Sequence, residues 1–350
     1  MVSIDYDFAF LLPGLGMGAR PSGGDVVVYQ LARELTARGS RCAVIGMGAD
    51  REHDEPKPWR LDELLPEAYR GFDWSPFGGI DYWALRSFDY SRKTTRWLFA
   101  TEFHTAVPVA GRLRAGRALF AGHLVQMHED DFGFSGRWAP EASRALTLIP
   151  RKVVVSKELQ GRFPGSRRIT PGIDSARFHP DRKRDVPTVA VQIQFIPSVK
   201  GASWGLEVLR EVHRKAPDVH VLAYGRQNLG HPPDWLAFVH NPTDLVLAQI
   251  LAEAHVFFLP SRLEGFAVPA LEALASGAFP VYTEGCGLPD DLWGTRVDFG
   301  DTYAAAAAIV GAVGQHAELR REALVEQARG FTYRKMTLEF EDAVKKLEET

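Results

Sequence analysis

Cysteine is scarce in this 350-residue sequence, which contains only Cys42 and Cys286. Two cysteines exclude a disulfide framework and a cysteine-rich zinc site, and a cytoplasmic location is the default expectation for such a chain. Apolar runs long enough for a membrane-spanning helix, roughly 18 residues, are also missing. The N-terminal stretch carries acidic rather than basic residues before its apolar run. We therefore expect a first strand there and no signal peptide.

The sequence also lacks an excess of charge of one sign. Its formal net charge is −3, which disfavours bulk nucleic-acid binding. One stretch departs from this balance, with seven basic residues against two acidic ones. Two interpretations stay open for it: a solvated surface, or an electropositive face for an anionic acceptor molecule or a membrane. The basic residues are Arg86, Arg92, Lys93, Arg96, Arg112, Arg114 and Arg117.

Apolar runs typical of buried strands alternate with helical patterns along the chain. Residues 6–12 and 42–47 are two such runs, and residues 25–38 between them place an apolar stripe on one helical face. This strand–helix–strand unit is typical of a parallel sheet. Residues 51–80 lack periodicity and are interpreted as loop and short helix. Further strands are predicted at 97–103, 123–128, 151–156, 188–195, 220–225, 255–261 and 279–284, and helices at 106–118, 139–147, 203–217, 245–254, 269–277, 302–328 and 332–349.

The chain length and this alternation predict two doubly wound α/β domains. Proline and charged residues are concentrated at 171–187, which indicates a linker between a Rossmann-like domain at 1–170 and a second one at 188–330. Residues 331–350 are predicted to form a C-terminal helix that packs back on the first domain. Because ligands of such sheets bind at the carboxyl ends of the strands, the site is expected in a deep cleft between the domains.

The stretch LLPGLGMGARPSGG, residues 11–24, contains G-x-G-x-x-A, a permitted form of the dinucleotide fingerprint. That fingerprint needs a helix beginning at these glycines, yet turn-forming residues delay the helix to about Gly24. It also needs an acidic residue about 20 positions on, whereas Asp50 lies 36 positions after Gly14. An NAD oxidoreductase is therefore disfavoured. Two interpretations remain: a mobile loop, in which Gly14, Gly16 and Gly18 supply mobility, or a loop that meets a substrate through Gly23 and Gly24.

The most informative stretch is SRLEGFAVPALEALASGAFPV, residues 261–281. Glu264 follows a predicted strand, Pro269 begins a helix whose free amides can hold a phosphate, and Glu272 lies one turn further on. Two carboxylates that flank such a helix start suit a ligand with a phosphate between two polyols, such as a sugar nucleotide. The alternative is a loop charge and a helix-surface glutamate without a ligand.

This stretch resembles the Glu–seven residues–Glu signature of retaining glycosyltransferases of the GT4 family, which have the GT-B fold. The glycine pair at 23–24 before a helix, the segment 153–180 and the pair Lys200-Gly201 also resemble parts of that family, in order and spacing. The resemblance covers nearly the whole chain. A narrower resemblance, at 100–109 and 124–132, is to the subgroup that includes rhamnosyltransferases of bacterial surface-glycan assembly.

The resemblance implies a donor site in the second domain. Glu264 would bind hydroxyls of the donor sugar, Glu272 would bind the ribose, and Lys200 would neutralise the diphosphate, on which negative charge grows as the glycosidic bond breaks. Lys200 and Glu264 are thus catalytic candidates. The implied donor-binding set is Gly23, Gly24, Lys200, Arg262, Glu264, Gly265, Phe266, Ala267, Val268 and Glu272.

In the first domain the resemblance implies a third catalytic candidate, His104, close to the donor sugar and the acceptor. The alternative for this histidine is a structural role. His128 and Glu129 are placed on the acceptor side, where Glu129 would contact or orient the acceptor. No metal and no cofactor is expected, because GT-B enzymes generally need no metal for catalysis and the nucleotide sugar is a co-substrate.

The chain departs from the family at Phe195, where an arginine usually binds the diphosphate; Arg262 and Arg226 are the candidates to replace it. The implied reaction is retaining transfer of a hexosyl or deoxyhexosyl group from a nucleotide-diphosphate sugar to an acceptor hydroxyl. Two alternatives stay open: a nucleotide-sugar epimerase or hydrolase of the same fold, and a catalytically silent binding subunit, which Phe195 motivates. Peripheral contact with the inner membrane is a further expectation for a cytoplasmic enzyme of this kind.

Overall fold

The computed structural model describes residues 3–13, 22–47, 80–84, 92–131, 139–181, 185–195, 198–315 and 321–350. Predictions for Gly14, Gly16, Gly18, Arg86 and nearly all of 51–80 lie outside these ranges. The chain divides into two compact units. The first contains Met1–Pro171 together with Tyr333–Thr350, and the second contains Gly172–Thr332.

The first unit is built on a parallel sheet in the order β3-β2-β1-β4-β5-β6-β7. Its central strands β1, β2 and β4 are largely apolar, because helices cover both faces of a parallel sheet. Strands β2 and β3 lie on one side of β1, whereas β4 and the strands after it lie on the other side. The strand order therefore changes direction between β1 and β4, and the carboxyl ends of these two strands form the topological switch point where ligands bind in such sheets. The strands are β1 Tyr6–Leu12, β2 Cys42–Gly46, β3 Asp81–Ala84, β4 Thr95–Ala100, β5 Ala118–Val125, β6 Lys152–Val154 and β7 Arg167–Arg168.

The helices of the first unit bury one apolar face each against this sheet. They are α1 Gly23–Ala37, α2 Phe103–Arg114, α3 Ala139–Leu148, α4 Lys157–Arg162 and the C-terminal α10 Tyr333–Glu348. In α10 the buried side chains recur at helical spacing, and Phe340 lies fully buried against the rings of Phe8, Phe10 and Phe99. The last helix of the chain is therefore part of the first unit.

The second unit has a parallel sheet in the order β10-β9-β8-β11-β12-β13, with its switch point between β8 and β11. Its strands are β8 Thr188–Gln192, β9 His220–Gly225, β10 Leu236–His240, β11 Val256–Leu259, β12 Phe279–Thr283 and β13 Thr295–Val297. Its helices are α5 Ala202–Lys215, α6 Asp244–Glu253, α7 Val268–Ala275, α8 Thr302–Gln315 and α9 Arg321–Ala328.

The predicted α/β class with two Rossmann-like domains is confirmed, while some details differ. The segment 171–187 was expected as a linker, but Ile173 and Phe178 lie in the buried core of the second unit, and Ile173 forms a bridge with Thr332. The apolar pattern did not reveal β3, β7, β10 or β13, because these strands are short or only partly buried.

Candidate functional site

The loop from β11 to α7 carries most of the predicted donor-site residues at the carboxyl edge of the second sheet. Ser261, Glu264 and Gly265 are buried in it, and Arg262 is exposed. Helix α7 follows with Pro269 in its first turn and no acidic residue there. A helix start of this kind has a partial positive charge that favours an anion, although the amides of Val268 and Ala270 already donate to the carbonyls of Phe266 and Ala267.

Lys200 and Glu264 meet in this loop, although 64 residues separate them in sequence. Lys200 Nζ donates to both carboxylate oxygens of Glu264 at 2.7 Å, and Ser261 Oγ donates to Glu264 Oε1 at 2.7 Å. The side chains of Lys200 and Glu264 are 21% and 11% exposed. Charge-assisted hydrogen bonds of this length hold the carboxylate in one orientation and compensate its charge. The structure thus brings together the residues predicted separately for the diphosphate and the sugar.

The backbone around Lys200 explains why glycine follows it. Lys200 ends a 3₁₀ turn, Ser198–Lys200, and Gly201 then adopts a left-handed conformation with φ of 66°. A Cβ atom at residue 201 would lie 2.0 Å from the carbonyl oxygen of Pro260, so only glycine fits. The amide of Arg262 donates to the carbonyl of Val199 at 2.7 Å. The lysine turn and the glutamate loop are therefore fixed to each other through their backbones.

A second backbone segment, the 3₁₀ turn Glu284–Cys286, supports the glutamate loop from the other side. The amide of Glu264 donates to the carbonyl of Gly285 at 2.8 Å, and that of Ala267 to the carbonyl of Cys286 at 3.1 Å. Burial raises the pKa of the Cys286 thiol to about 12, and the charge of Glu264 adds to this effect. Cys286 is therefore an inert packing residue rather than a nucleophile.

Two of the amides expected to face the donor already have partners within the second unit. The amide of Ala267 bonds to Cys286, and that of Val268 donates to the carbonyl of Phe266 at 2.9 Å. Val268 is the first residue of α7, so its bond to Phe266 closes a tight turn at the start of the helix. The side chains of Lys200 and Glu264 are consequently the better-supported donor contacts.

Glu272 lies in the second turn of α7 and is partly buried. Tyr224, near the carboxyl end of β9, has a pKa well above its usual value, chiefly because it is buried and secondly because of the charge of Glu272. A half-buried carboxylate in this position suits hydroxyl recognition.

Phe195 stands where the family resemblance expects an arginine, and its side chain is 37% exposed. Its amide donates to Gln227 Oε1 at 2.6 Å, which fixes the strand end next to the loop after β9. Arg262 and Arg226 are both exposed, and the carbonyl of Arg226 lies 3.0 Å from His240 Nε2. Both arginines therefore follow strand ends of the second sheet, as the sequence predicted.

In the first unit, Gly23 and Gly24 form the first turn of α1. Ser22 Oγ accepts from the Asp25 amide at 3.2 Å, and Asp25 Oδ2 accepts from the Ser22 amide at 2.8 Å. This reciprocal cap starts the helix at Gly23, close to the start predicted at about Gly24. A Cβ atom at Gly24 would lie 3.3 Å from Gln126 Nε2, so the helix start lies against the loop after β5.

His104 lies in the first turn of α2, just after the carboxyl end of β4, with 40% of its side chain exposed. Its Nδ1 atom is 3.5 Å from Glu102 Oε2. Burial raises the pKa of Glu102, the charges of Glu129 and Asp25 add to the rise, and His104 opposes it. Sequence reasoning missed Glu102, although its place two residues before His104 in a helix-cap position was the available signal.

His128 and Glu129 lie in the interior rather than at an acceptor-facing surface. His128 is 5% exposed, with Nδ1 3.1 Å from Arg162 and Nε2 3.4 Å from Glu158; burial, aided by the charge of Arg162, lowers its pKa. Glu129 is 2% exposed and faces His123. Both side chains are buried, and their assignment to the acceptor side stays a prediction.

Among the residues that the structure describes, no group of three or more His, Cys, Asp or Glu side chains is arranged to hold a metal ion. Within the same residues, no helix has the length and apolar character needed to cross a membrane.

Residues 187–315 match the family model described as Glycosyl transferases group 1. The matched residues lie within the second unit. This confirms the resemblance on which the sequence interpretation of 261–281 depended. No curated protein matches the chain.

Solved structures share the fold over nearly the whole chain. Sucrose-phosphate synthase from Thermosynechococcus elongatus is 17% identical with a TM-score of 0.73, covering 98% of this chain and 99% of that one. HepE from Anabaena, in complex with UDP and glucose, is 13% identical with a TM-score of 0.73, covering 97% and 100%. The trehalose-6-phosphate phosphatase N-terminal domain of Candida albicans is 12% identical with a TM-score of 0.68, covering 99% and 98%. This likeness establishes the GT-B fold, and with the family match it supports a glycosyltransferase.

Proposed function

We propose that this protein is a retaining glycosyltransferase that moves a hexosyl or deoxyhexosyl group from a nucleotide-diphosphate sugar to an acceptor hydroxyl. The observation that carries the proposal is the Lys200–Glu264–Ser261 arrangement beside the start of α7. It places a cation, a carboxylate and a helix start at one sheet edge, which matches the alternation of diphosphate and hydroxyl groups in such a donor.

Binding of the sugar nucleotide would replace the contact between Lys200 and Glu264 by contacts of each residue with the ligand. A diphosphate oxygen takes the Lys200 ammonium, and Glu264, still oriented by Ser261, accepts hydrogen bonds from sugar hydroxyls. As the bond between the anomeric carbon and the phosphate oxygen breaks, negative charge grows next to Lys200 and the positive end of the α7 dipole. Positively charged or hydrogen-bonding groups that are held in place before the reaction stabilise that charge more than water does. We therefore expect this interaction to supply a large part of the rate enhancement.

Retention follows from attack on the face that the leaving group occupies. The acceptor oxygen bonds to the anomeric carbon, and its proton passes to the departing diphosphate oxygen. Glu264 is an unsuitable nucleophile for the alternative double displacement, because hydrogen bonds from Ser261 and from the sugar hydroxyls lower the reactivity of its carboxylate in the donor complex. No cofactor and no metal is needed for these steps.

The basic stretch before residue 118 gives limited support to an anionic acceptor or a membrane surface. Arg96 pairs with Glu348, Lys93 pairs with Asp5, and Arg112 donates to the carbonyl of Lys93 at 2.8 Å. These interactions neutralise or engage several of the basic side chains within the first unit, which leaves fewer of them for an anionic partner. We therefore propose an acceptor molecule that is neutral or anionic, without choosing between the two, and peripheral contact with a membrane as a further proposal.

The decisive experiment is a thermal-shift panel of UDP, GDP, dTDP and ADP sugars, followed by incubation of the stabilising donor with acceptors and assignment of the product anomer by NMR. A donor at 100 times its Kd stabilises the folded state by about 2.7 kcal/mol. UDP sugars come first, because HepE was solved with UDP and glucose. An inverted product would contradict retention. Free or epimerised sugar without acceptor would instead identify a hydrolase or epimerase, and binding without turnover a silent subunit.

A further inference from the structure

The loop after β5, residues 126–131, is tied to helix α4 by a single arginine. Arg162 Nη1 donates to His128 Nδ1 at 3.1 Å and to Asp131 Oδ2 at 3.0 Å, and Nη2 donates to Asp130 Oδ2. A guanidinium carries five N–H donors in a rigid plane, so one side chain can hold three acceptors at once. These hydrogen bonds fix the loop to an element that follows it in sequence.

The arginine itself belongs to a well-anchored helix. Arg162 ends α4, and Ser156 caps the start of this helix by accepting from the Leu159 amide at 3.3 Å. Leu159 is fully buried, and the guanidinium carbon of Arg162 lies 5.9 Å from the centroid of the Phe163 ring. Arg162 is therefore held independently of the loop, and the loop takes its position from the arginine.

The beginning of the same loop contacts the start of α1. Gln126 directly follows β5, and a Cβ atom at Gly24 would lie 3.3 Å from its Nε2 atom. The glycine thus leaves room for the amide side chain of Gln126. His128 lies only two residues further on, so the bond from Arg162 to His128 determines where Gln126 can lie.

The bond between Arg162 and His128 requires one protonation state of the imidazole. An arginine only donates, so Nδ1 of His128 must accept, and the proton of the neutral ring is on Nε2, which lies 3.4 Å from Glu158 Oε1. A second proton would occupy Nδ1 and point at Nη1 of Arg162. Two donors of like charge would then face each other, and the bond would be lost.

The charges around the ring come from α4 and from the loop itself. Burial lowers the pKa of His128 below its ordinary value of 6.5, Glu158 of α4 opposes this change, and Arg162 of α4 adds to it. Asp131 and Asp130 of the loop also oppose it. The geometry of the Arg162 bond and the burial of the ring thus both favour the neutral imidazole.

We propose that Arg162 is a positioning residue that holds the loop after β5, and with it Gln126, against the glycine pair at 23–24, and that it does so only while His128 is unprotonated. Protonation replaces one of three hydrogen bonds by a repulsion, whereas the two bonds to the aspartates remain. The segment released is therefore 126–128, which carries Gln126. A contribution of Gln126 to substrate binding rests on the proposed glycosyl transfer.

The proton dependence is testable without any substrate. The probe is hydrogen exchange of the Asp131 amide, which donates to the carbonyl of His128 at 3.0 Å. Its protection factor, which corrects for the pH dependence of the chemical exchange step, should fall about tenfold between about pH 7.5 and about pH 5. The released loop binds a proton with the ordinary histidine pKa, so its population grows as pH falls below about 6.5.

His128→Asn is the decisive variant for this measurement. The amide oxygen of asparagine can accept from Arg162 in place of Nδ1 but does not titrate, so the Asp131 amide should stay protected at both pH values. An equal fall in protection in the parent protein and in His128→Asn would overturn the proposal.

Removal of the arginine should have the same effect at neutral pH. Arg162→Met should lower the protection factor of the Asp131 amide about tenfold, because the loop loses its charge-assisted hydrogen bonds. Arg144→Met removes an exposed arginine from α3 and is the matched control, with no change expected. Equal protection in the two variants would refute the role of Arg162. If Arg162→Met does not fold, the pH comparison with His128→Asn decides the question.

Gln126→Ala separates the position of the loop from its use. This variant should keep the Asp131 protection, yet raise the KM for donor or acceptor about fivefold with kcat nearly unchanged, as Arg162→Met should also do. The double variant should be no worse than either single one, because both remove the same contact. Additive losses, or an unchanged KM in Arg162→Met, would contradict positioning. A parent protein with the expected exchange behaviour that transfers no sugar would contradict the proposed function alone.

Discussion

At the scale of single residues, Lys200 and Glu264 are expected to act as one unit. Lys200→Ala should lower kcat/KM for transfer by about 10²–10³, because the growing charge on the leaving diphosphate loses its fixed cation. Glu264→Gln should weaken binding of the sugar nucleotide more than binding of the free nucleotide, since its proposed contacts are with the sugar. Steady-state kinetics and calorimetry with nucleotide and nucleotide sugar measure the two effects.

The control for this prediction is a double variant. Lys200→Met leaves the Glu264 charge without its cation and should lower the free energy of unfolding by about 1–3 kcal/mol. Lys200→Met/Glu264→Leu should recover most of that loss yet remain inactive. Near-parental turnover in Lys200→Ala would contradict the role of the lysine.

Phe195 stands where the family that the sequence resembles usually has an arginine, and this difference allows a gain-of-function test. Phe195→Arg should tighten nucleotide-diphosphate binding by about tenfold, since one added hydrogen bond to a charged group contributes about 1.5 kcal/mol or more. The effect should weaken with added salt. Phe195→Leu is the control, and calorimetry in low and high salt is the measurement. Equal affinity in both variants would show that the diphosphate is bound elsewhere.

These residues also show where sequence reasoning stops. The spacing of Glu264 and Glu272 and the pair Lys200-Gly201 could be recognised locally, because each belongs to one strand end or helix start. The contact between Lys200 and Glu264 could not, since it depends on two loops that are brought together by the order of β8 and β11 in the sheet. For the same reason the inward orientation of Glu129 was not predictable from the strand pattern.

At the scale of elements, the turn before α5 is the part most sensitive to substitution. Gly201→Ala forces a side chain into a left-handed position and against the carbonyl of Pro260, so the second unit should lose about 2–4 kcal/mol of stability and the Lys200 side chain should be displaced. Gly230→Ala is a matched control: its φ is also positive, at 72°, but nothing lies within 4 Å of the added Cβ. That variant should lose about 1 kcal/mol and keep full activity. Denaturant unfolding and transfer assays compare them, and similar losses in both would contradict the steric argument.

Some elements could be predicted from local sequence signals, whereas others depend on pairing with distant residues. Pro269 and Gly277 mark the two ends of α7 in sequence, and the structure places the helix at Val268–Ala275, within two residues of each marker. Strand β10 escaped prediction because only Leu236 of its five residues is buried, so the apolar run that marks a central strand is absent at this sheet edge. Edge strands gain their conformation from pairing, here with β9, rather than from their own pattern.

At the scale of the whole molecule, the chain leaves the first unit at Pro171 and returns to it at Tyr333. The returning helix α10 is tied in by more than apolar contacts: Arg96 donates to Glu348 at 2.8 Å, and Trp97 Nε1 donates to the same carboxylate at 2.6 Å. These bonds lower the pKa of Glu348, so their contribution is present at neutral pH and is lost as pH falls through that lowered pKa. The C-terminal helix α10 therefore stabilises the first unit, which also contains the N-terminal strand β1.

A core substitution in α10 tests this division of the chain. Phe340 is fully buried, with ring centroids 5.7, 5.9 and 5.1 Å from those of Phe8, Phe10 and Phe99. Phe340→Ala removes these contacts and should cost the first unit about 3–5 kcal/mol. Hydrogen exchange should then accelerate in β1 and β4 and stay unchanged in β8 to β13, because local stability follows local packing. Leu338→Ala on the same helix, at a side chain 45% exposed, should change neither. Faster exchange throughout 172–332 in Phe340→Ala would mean that the two units unfold as one.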